Sequence, residues 1–127
     1  MDILSAILTL QIQLSEIQNK VNVLVQQQIE TRVEFAEMPL ELQRVALCES
    51  GGLQHQPNGS IVKGKADERG ILQIHPVHFS RAKKMGYDID TAAGNMAYGV
   101  WLYEREGLVP WKICSARMKI PQRFTMK

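Results

Sequence analysis

The first third of this 127-residue chain has almost nothing that bends a backbone, since no proline or glycine occurs before Pro39. Aromatic residues are scarce, at 6%, and net charge is only +2. So small a balance gives no case for nucleic-acid binding by bulk electrostatics. Cysteine occurs twice, at Cys48 and Cys114, and no C-x-x-C pair is present. That excludes a zinc ribbon or finger. His55, His75 and His78 have no acid or cysteine placed beside them as a metal site requires, so neither a metal nor another cofactor is expected. No apolar run reaches the ~18 residues of a spanning helix, so no integral membrane span is expected. A secretion signal is also missing. Asp2 stands where a basic residue belongs, Thr9, Gln11 and Gln13 interrupt the apolar stretch from Ile3 to Leu14, and no small-residue cleavage site follows.

What is present comes in two styles. Residues 1–34 form an amphipathic helix. Ile3, Ile7, Leu10, Leu14, Ile17, Val21 and Leu24 alternate spacings of four and three without a miss. That is a heptad seam, with Ile7, Leu14, Val21 and Gln28 at a and Ile3, Leu10, Ile17 and Leu24 at d. Thirty such residues make a rod roughly 45 Å long at ~1.5 Å per residue. The flanking positions are mostly Gln (Gln11, Gln13, Gln18, Gln27), with Lys20 the one charge among them. Charges there set partner and orientation, so the oligomeric state is poorly specified. Leu4, Leu8, Val25 and Ile29 widen the apolar face. Self-association through residues 3–28 is the expectation. Packing onto the rest of the chain is an alternative, and membrane-surface attachment is disfavoured by a polar face poor in Lys and Arg.

From residue 38 the grammar changes. Pro39 opens a helix that runs to Glu49 and stops at Gly51-Gly52. Leu53 to Gly70 is loop or a short β-hairpin, with a turn at Pro57-Asn58-Gly59 and a strand at Ser60-Ile61-Val62. Pro76 starts a helix ended by Gly86, Asp90 or Thr91 caps another that runs to Gly107, and Pro110-Trp111 begins a last segment. Residues 117–127 read as a solvated basic tail. Lys112, Arg117, Lys119, Arg123 and Lys127 lie near this end with no acid between them.

One residue stands out chemically. Leu42, Val45, Ala46 and Glu49 fall at i, i+3, i+4 and i+7, so Glu49 continues an apolar stripe. It also lies in the last turn, at the negative end of the helix dipole. Both effects raise a carboxyl pKa, as a general acid requires. A Glu at the core edge that bends to solvent is the plain alternative.

The surrounding residues add to this. Val45-Ala46-Leu47-Cys48-Glu49-Ser50-Gly51-Gly52 resembles the start of the lysozyme-like domain of resuscitation-promoting factors, and of the wider lytic transglycosylases with the goose-lysozyme type of fold. Gly70-Ile71-Leu72-Gln73-Ile74 resembles their second motif. His75-Pro76-Val77-His78-Phe79 is similar to the opening of the following helix. Gly94-Asn95-Met96-Ala97-Tyr98-Gly99 through Tyr103 resembles the third motif, and Trp111-Lys112-Ile113-Cys114 the Trp-x-x-Cys that closes the resuscitation-factor domain. The likeness covers residues 40–114, and its weight lies in the order of motifs that are weak singly.

The resemblance implies a mostly α, lysozyme-like α+β domain over residues 38–116. It implies cleavage of the β-1,4 bond between N-acetylmuramic acid and N-acetylglucosamine in peptidoglycan glycan strands, with Glu49 as catalytic acid. Ser50, Gln73, Asn95 and Tyr98 would contact substrate, with Tyr98 favoured over Tyr103 for the cleft. Gln73 as a backbone-satisfying residue is the competing reading. A hydrolase needs a second carboxylate, for which Asp67 and Glu68 are the candidates, with a solvated loop as their alternative reading. A lytic transglycosylase needs none, and this is the preferred reaction. A non-catalytic wall-binding or virion component is the other reading of the domain. The resemblance further implies a Cys48–Cys114 disulfide, against the alternative of two unrelated buried thiols. A disulfide places the domain outside the cytoplasm or in the cell envelope, which sits awkwardly with the missing signal.

Overall fold

The computed structural model describes residues 2–119. They fall into two compact units, one up to Val33 and one from Glu34 onward. The expected tail positions Arg123 and Lys127 lie outside the described residues, whereas Arg117 lies in a helix.

The first unit consists of most of one helix. α1 spans Ile3–Glu37, and none of its residues is buried. Asp2 starts it: the Ser5 amide donates to Asp2 Oδ1 at 2.7 Å, and this bond holds the Asp2 carboxyl below its usual pKa. Asp2 is therefore a helix cap. The described helices include none long and apolar enough to cross a membrane.

The second unit begins within the last turn of α1, whose Phe35 packs against its core. Residues before a proline avoid the helical region, and the Gln43 amide donates to the carbonyls of Ala36 and Met38 across the break. α2 spans Leu40–Ser50 and buries Leu42, Val45 and Ala46. Gly51 closes it with φ +69, and the amides of Gly51 and Gly52 return to the carbonyls of Leu47 and Ala46. After a 3₁₀ turn at Pro76–His78 come α3 (Phe79–Lys84), α4 (Ala92–Glu106), a second 3₁₀ turn at Val109–Trp111 and α5 (Lys112–Arg117). Thr91, one of the two expected caps, accepts from the Gly94 amide at 3.0 Å.

The mostly α class is observed, but the short β-hairpin is not. Among the described residues the stretch between α2 and the first 3₁₀ turn holds only single bridges, His55 to Ile61, Lys63 to Arg69 and Arg69 to Ile74. The Pro57–Gly59 turn does form, with the Gly59 amide on Gln56 O. Ser60–Val62 still does not become a strand, because its pairing partner changes at once: Ile61 bridges back to His55 whereas Lys63 bridges forward to Arg69. Side-chain amides then take over backbone groups that a ladder would have paired. Gln54 Oε1 accepts from Ile71 N and Asn95 Oδ1 accepts from Leu72 N.

Leu42, Val45, Ile71, Leu72, Ile74, Tyr98, Leu102, Leu108 and Trp111 make the core. Gly99 lets α4 lie against Leu72, whose Cδ1 a β-carbon there would overlap. The Trp111 ring nitrogen donates to Leu72 O at 2.8 Å. The Cys48–Cys114 disulfide forms, with Cα atoms 5.9 Å apart. It ties the end of α2 to α5, and Arg44 Nη2 donates to Met118 O at 3.0 Å as a second tie. Closing a separation of 66 residues stabilises by about 4 kcal/mol on the loop-entropy estimate.

Candidate active site

Glu49 sits half-buried in the last turn of α2, one residue after the disulfide and two before the Gly51 cap. Its carboxyl is pushed above the usual range. Burial is the main cause, the nearby negative charge of Glu68 adds to it, and the positive charge of Arg117 opposes it. The stripe that places Leu42, Val45 and Ala46 in the core also drags this acid toward it.

Ser50 fixes the position of that turn. Its hydroxyl lies 2.7 Å from Ile71 O and 3.0 Å from Ala46 O, and it accepts from the Leu53 amide. Every one of these partners is backbone, so Ser50 joins the end of α2 to the Gly70–Ile74 segment.

The two candidate carboxylates separate. Asp67 points toward Lys63 and Arg69, at 4.0 and 3.4 Å. Glu68 is the one whose charge reaches Glu49. A β-carbon on Gly64 would lie 2.5 Å from Glu68 Oε1 and 2.7 Å from Gln73 Oε1, so both oxygens converge over that glycine. Gln73 occupies left-handed backbone at φ +49, which is strained for a residue with a side chain. Its Nε2 donates to Gly70 O and Val62 O. The amide donor is therefore committed to backbone, as the competing reading has it, while Oε1 faces Glu68. Glu68 and Gln73 meet over Gly64, and the charge of Glu68 reaches Glu49.

Asn95 and Tyr98 fall elsewhere, contrary to expectation. Both are fully buried. Asn95 Nδ2 donates to Arg69 O and Ile89 O, and its Oδ1 accepts from Leu72 N. Nothing on it is left for a sugar, and its role is to hold the backbone that carries the second motif. The Tyr98 hydroxyl lies 2.9 Å from Arg81 Nε and 3.0 Å from His78 Nδ1, with the ring inside the core. Burial and the charge of Arg81 lower the His78 pKa. Asn95, Tyr98 and Leu102 share the inward face of α4 at helical spacing. Tyr103 is no substitute, since it is buried and donates to Glu41 Oε2 at 2.8 Å. Burial and that bond push its pKa up to about 12.

Two participants escaped sequence reasoning. Gln54 is buried, accepts from Ile71 N and donates to Ile89 O. With Asn95 it crowds Gly70, where a β-carbon would collide with both amides. Arg117, read only as part of a basic tail, is the cation that acts on Glu49. Nothing local marks either one, because both act across the fold.

A cavity of about 490 Å³ lined by Arg69, Phe79, Lys83, Tyr87 and Asp90 does not include Glu49. Glu49 itself is half-buried. Among the described residues no group of three or more His, Cys, Asp or Glu could hold a metal ion. Comparison with protein-family models, characterised proteins and solved structures gives no match. The functional reading rests on the residues and their geometry.

Proposed function

We propose that the second unit is a peptidoglycan-cleaving enzyme of the lytic transglycosylase kind, with Glu49 as its acid and base. The observation that carries the reading is the raised pKa of this half-buried carboxyl at the end of α2. Protonated Glu49 donates to the glycosidic oxygen as the bond to muramic C1 breaks. The carboxylate then takes the proton of the muramic 6-hydroxyl, and O6 closes on C1 to give the 1,6-anhydro sugar. No water is consumed and Glu49 ends protonated, so one carboxyl serves both steps.

Glu68 supports a second reading. Its negative charge acts on Glu49, and in a hydrolase it would activate water or stabilise charge. A third reading keeps the domain as a glycan-binding module of a wall or virion protein, without catalysis. The disulfide suits an extracytoplasmic or envelope setting.

Digestion of purified peptidoglycan, with mass spectrometry of the released muropeptides, separates these readings. Anhydro ends are expected, and Glu49→Gln is expected to reduce their release at least ~100-fold. Reducing ends would move the assignment to hydrolysis with Glu68. Full activity in Glu49→Gln would remove Glu49 from the chemistry, and no release by either protein would favour the binding module.

A further inference from the structure

We infer that α1 is an assembly element that pairs with a second copy of this chain along the Ile3–Leu24 seam. Up to Val33, the end of the first unit, this helix buries no side chain, and only Phe35 beyond it packs on the core of the second unit. Little else sustains it in water. Its side-chain bonds are a few i,i+4 contacts such as Gln18 to Asn22 and Gln26 to Glu30, each a weak contribution. Helices owe most of their stability to a covered apolar face. Here that face is bare: the seven seam residues are between 45% and 79% exposed.

The seam itself identifies the occupant. A strict four-three repeat fits another helix carrying the same repeat, because knobs at a and d need holes of the same period. A second copy offers that pattern without any further partner. Size is modest: Ile3 to Leu24 is ~32 Å at ~1.5 Å per residue, so a stripe ~10 Å wide is about 320 Å² in projection, below the ~800 Å² per partner of a standard interface, and the pairing is expected to depend on concentration. The charge pattern also fits self-pairing. Glutamine flanks neither repel nor require a complementary partner, and the polar face lacks the cations that hold a helix on an anionic membrane. Gln28 sits at a, where it ends the apolar seam.

Neutral flanks give the pairing a signature. Attraction between charged flanks would weaken with salt, whereas this seam is expected to hold. Sedimentation of the full-length protein at about 50 µM is expected to give a dimer or small oligomer, unchanged between roughly 0.05 and 1 M salt. The double variant Leu14→Glu, Ile17→Glu is expected to sediment as a monomer with its disulfide and near-ultraviolet spectrum intact, which excludes misfolding of the second unit as the cause. A monomeric wild-type protein at that concentration would overturn the inference. So would an oligomer that survives the double variant, or wild-type protein that is monomeric in buffer and pelleted by neutral lipid vesicles. The readout is independent of glycan cleavage.

Discussion

Glu49 carries a conflict that α2 imposes on it. The residues before it in the stripe belong in the core, and a carboxylate does not. The protein leaves the acid half-buried, and its proton is correspondingly hard to remove. Two neighbours tune it in opposite directions. Glu68 raises the pKa and Arg117 lowers it. If the protonated form starts the reaction, the alkaline limb of the pH–activity profile reports this group. Glu68→Gln removes a like charge and is expected to move that limb to lower pH. Arg117→Gln removes an opposite charge and is expected to move it to higher pH. Profiles that move the same way in both variants would contradict the opposite effects of the two charges. Burial also makes ionised Glu49 a burden on the fold. Its folded pKa lies above the unfolded one, so its contribution falls as pH rises between the two.

At the scale of elements, the second unit is joined by polar side chains where a sheet would otherwise do the work. Gln54 from the loop after α2 and Asn95 from α4 share Ile89 O and between them satisfy Arg69 O, Ile71 N and Leu72 N. That arrangement replaces the expected hairpin. Removing one amide strands several buried backbone groups at once, at about 1–3 kcal/mol for each unsatisfied group. Asn95→Ala is therefore expected to destabilise the unit by about 3 kcal/mol, measured by denaturant unfolding. A loss under about 1 kcal/mol would mean that water or a neighbour takes over the site. The helices are simpler. Pro39, Gly51, Thr91 and Gly107 bound α2 and α4 through local backbone preferences, so those limits are plain in the sequence.

At the scale of the whole molecule, two units of different construction share one chain. The second holds fewer than a hundred described residues, a size at which one core leaves a thin margin. The disulfide supplies much of that margin. Reduction is expected to lower the unfolding midpoint of this unit by at least ~15 °C, from a loss of about 4 kcal/mol, as read by near-ultraviolet dichroism. Dilution is expected to act on the other unit. If α1 is held by a second copy, its helical signal is lost as concentration falls while the midpoint of the disulfide-linked unit stays fixed. One transition responding to both treatments would argue against separate units.

Local rules account for what the sequence alone determined. The four-three repeat specifies α1, Pro39, Gly51, Thr91 and Gly107 mark where α2 and α4 begin and end, and the stripe from Leu42 to Glu49 locates the acid. All of these depend on residues within a few turns of one another. Tertiary structure decided the rest, because those features depend on pairs far apart in the chain. Only packing of α4 shows that Asn95 and Tyr98 face inward and serve the core. Only the course of the loop selects Glu68 over Asp67 as the carboxylate whose charge reaches Glu49. Only the docking of α5 brings Cys114 to Cys48 and Arg117 into electrical range of the acid.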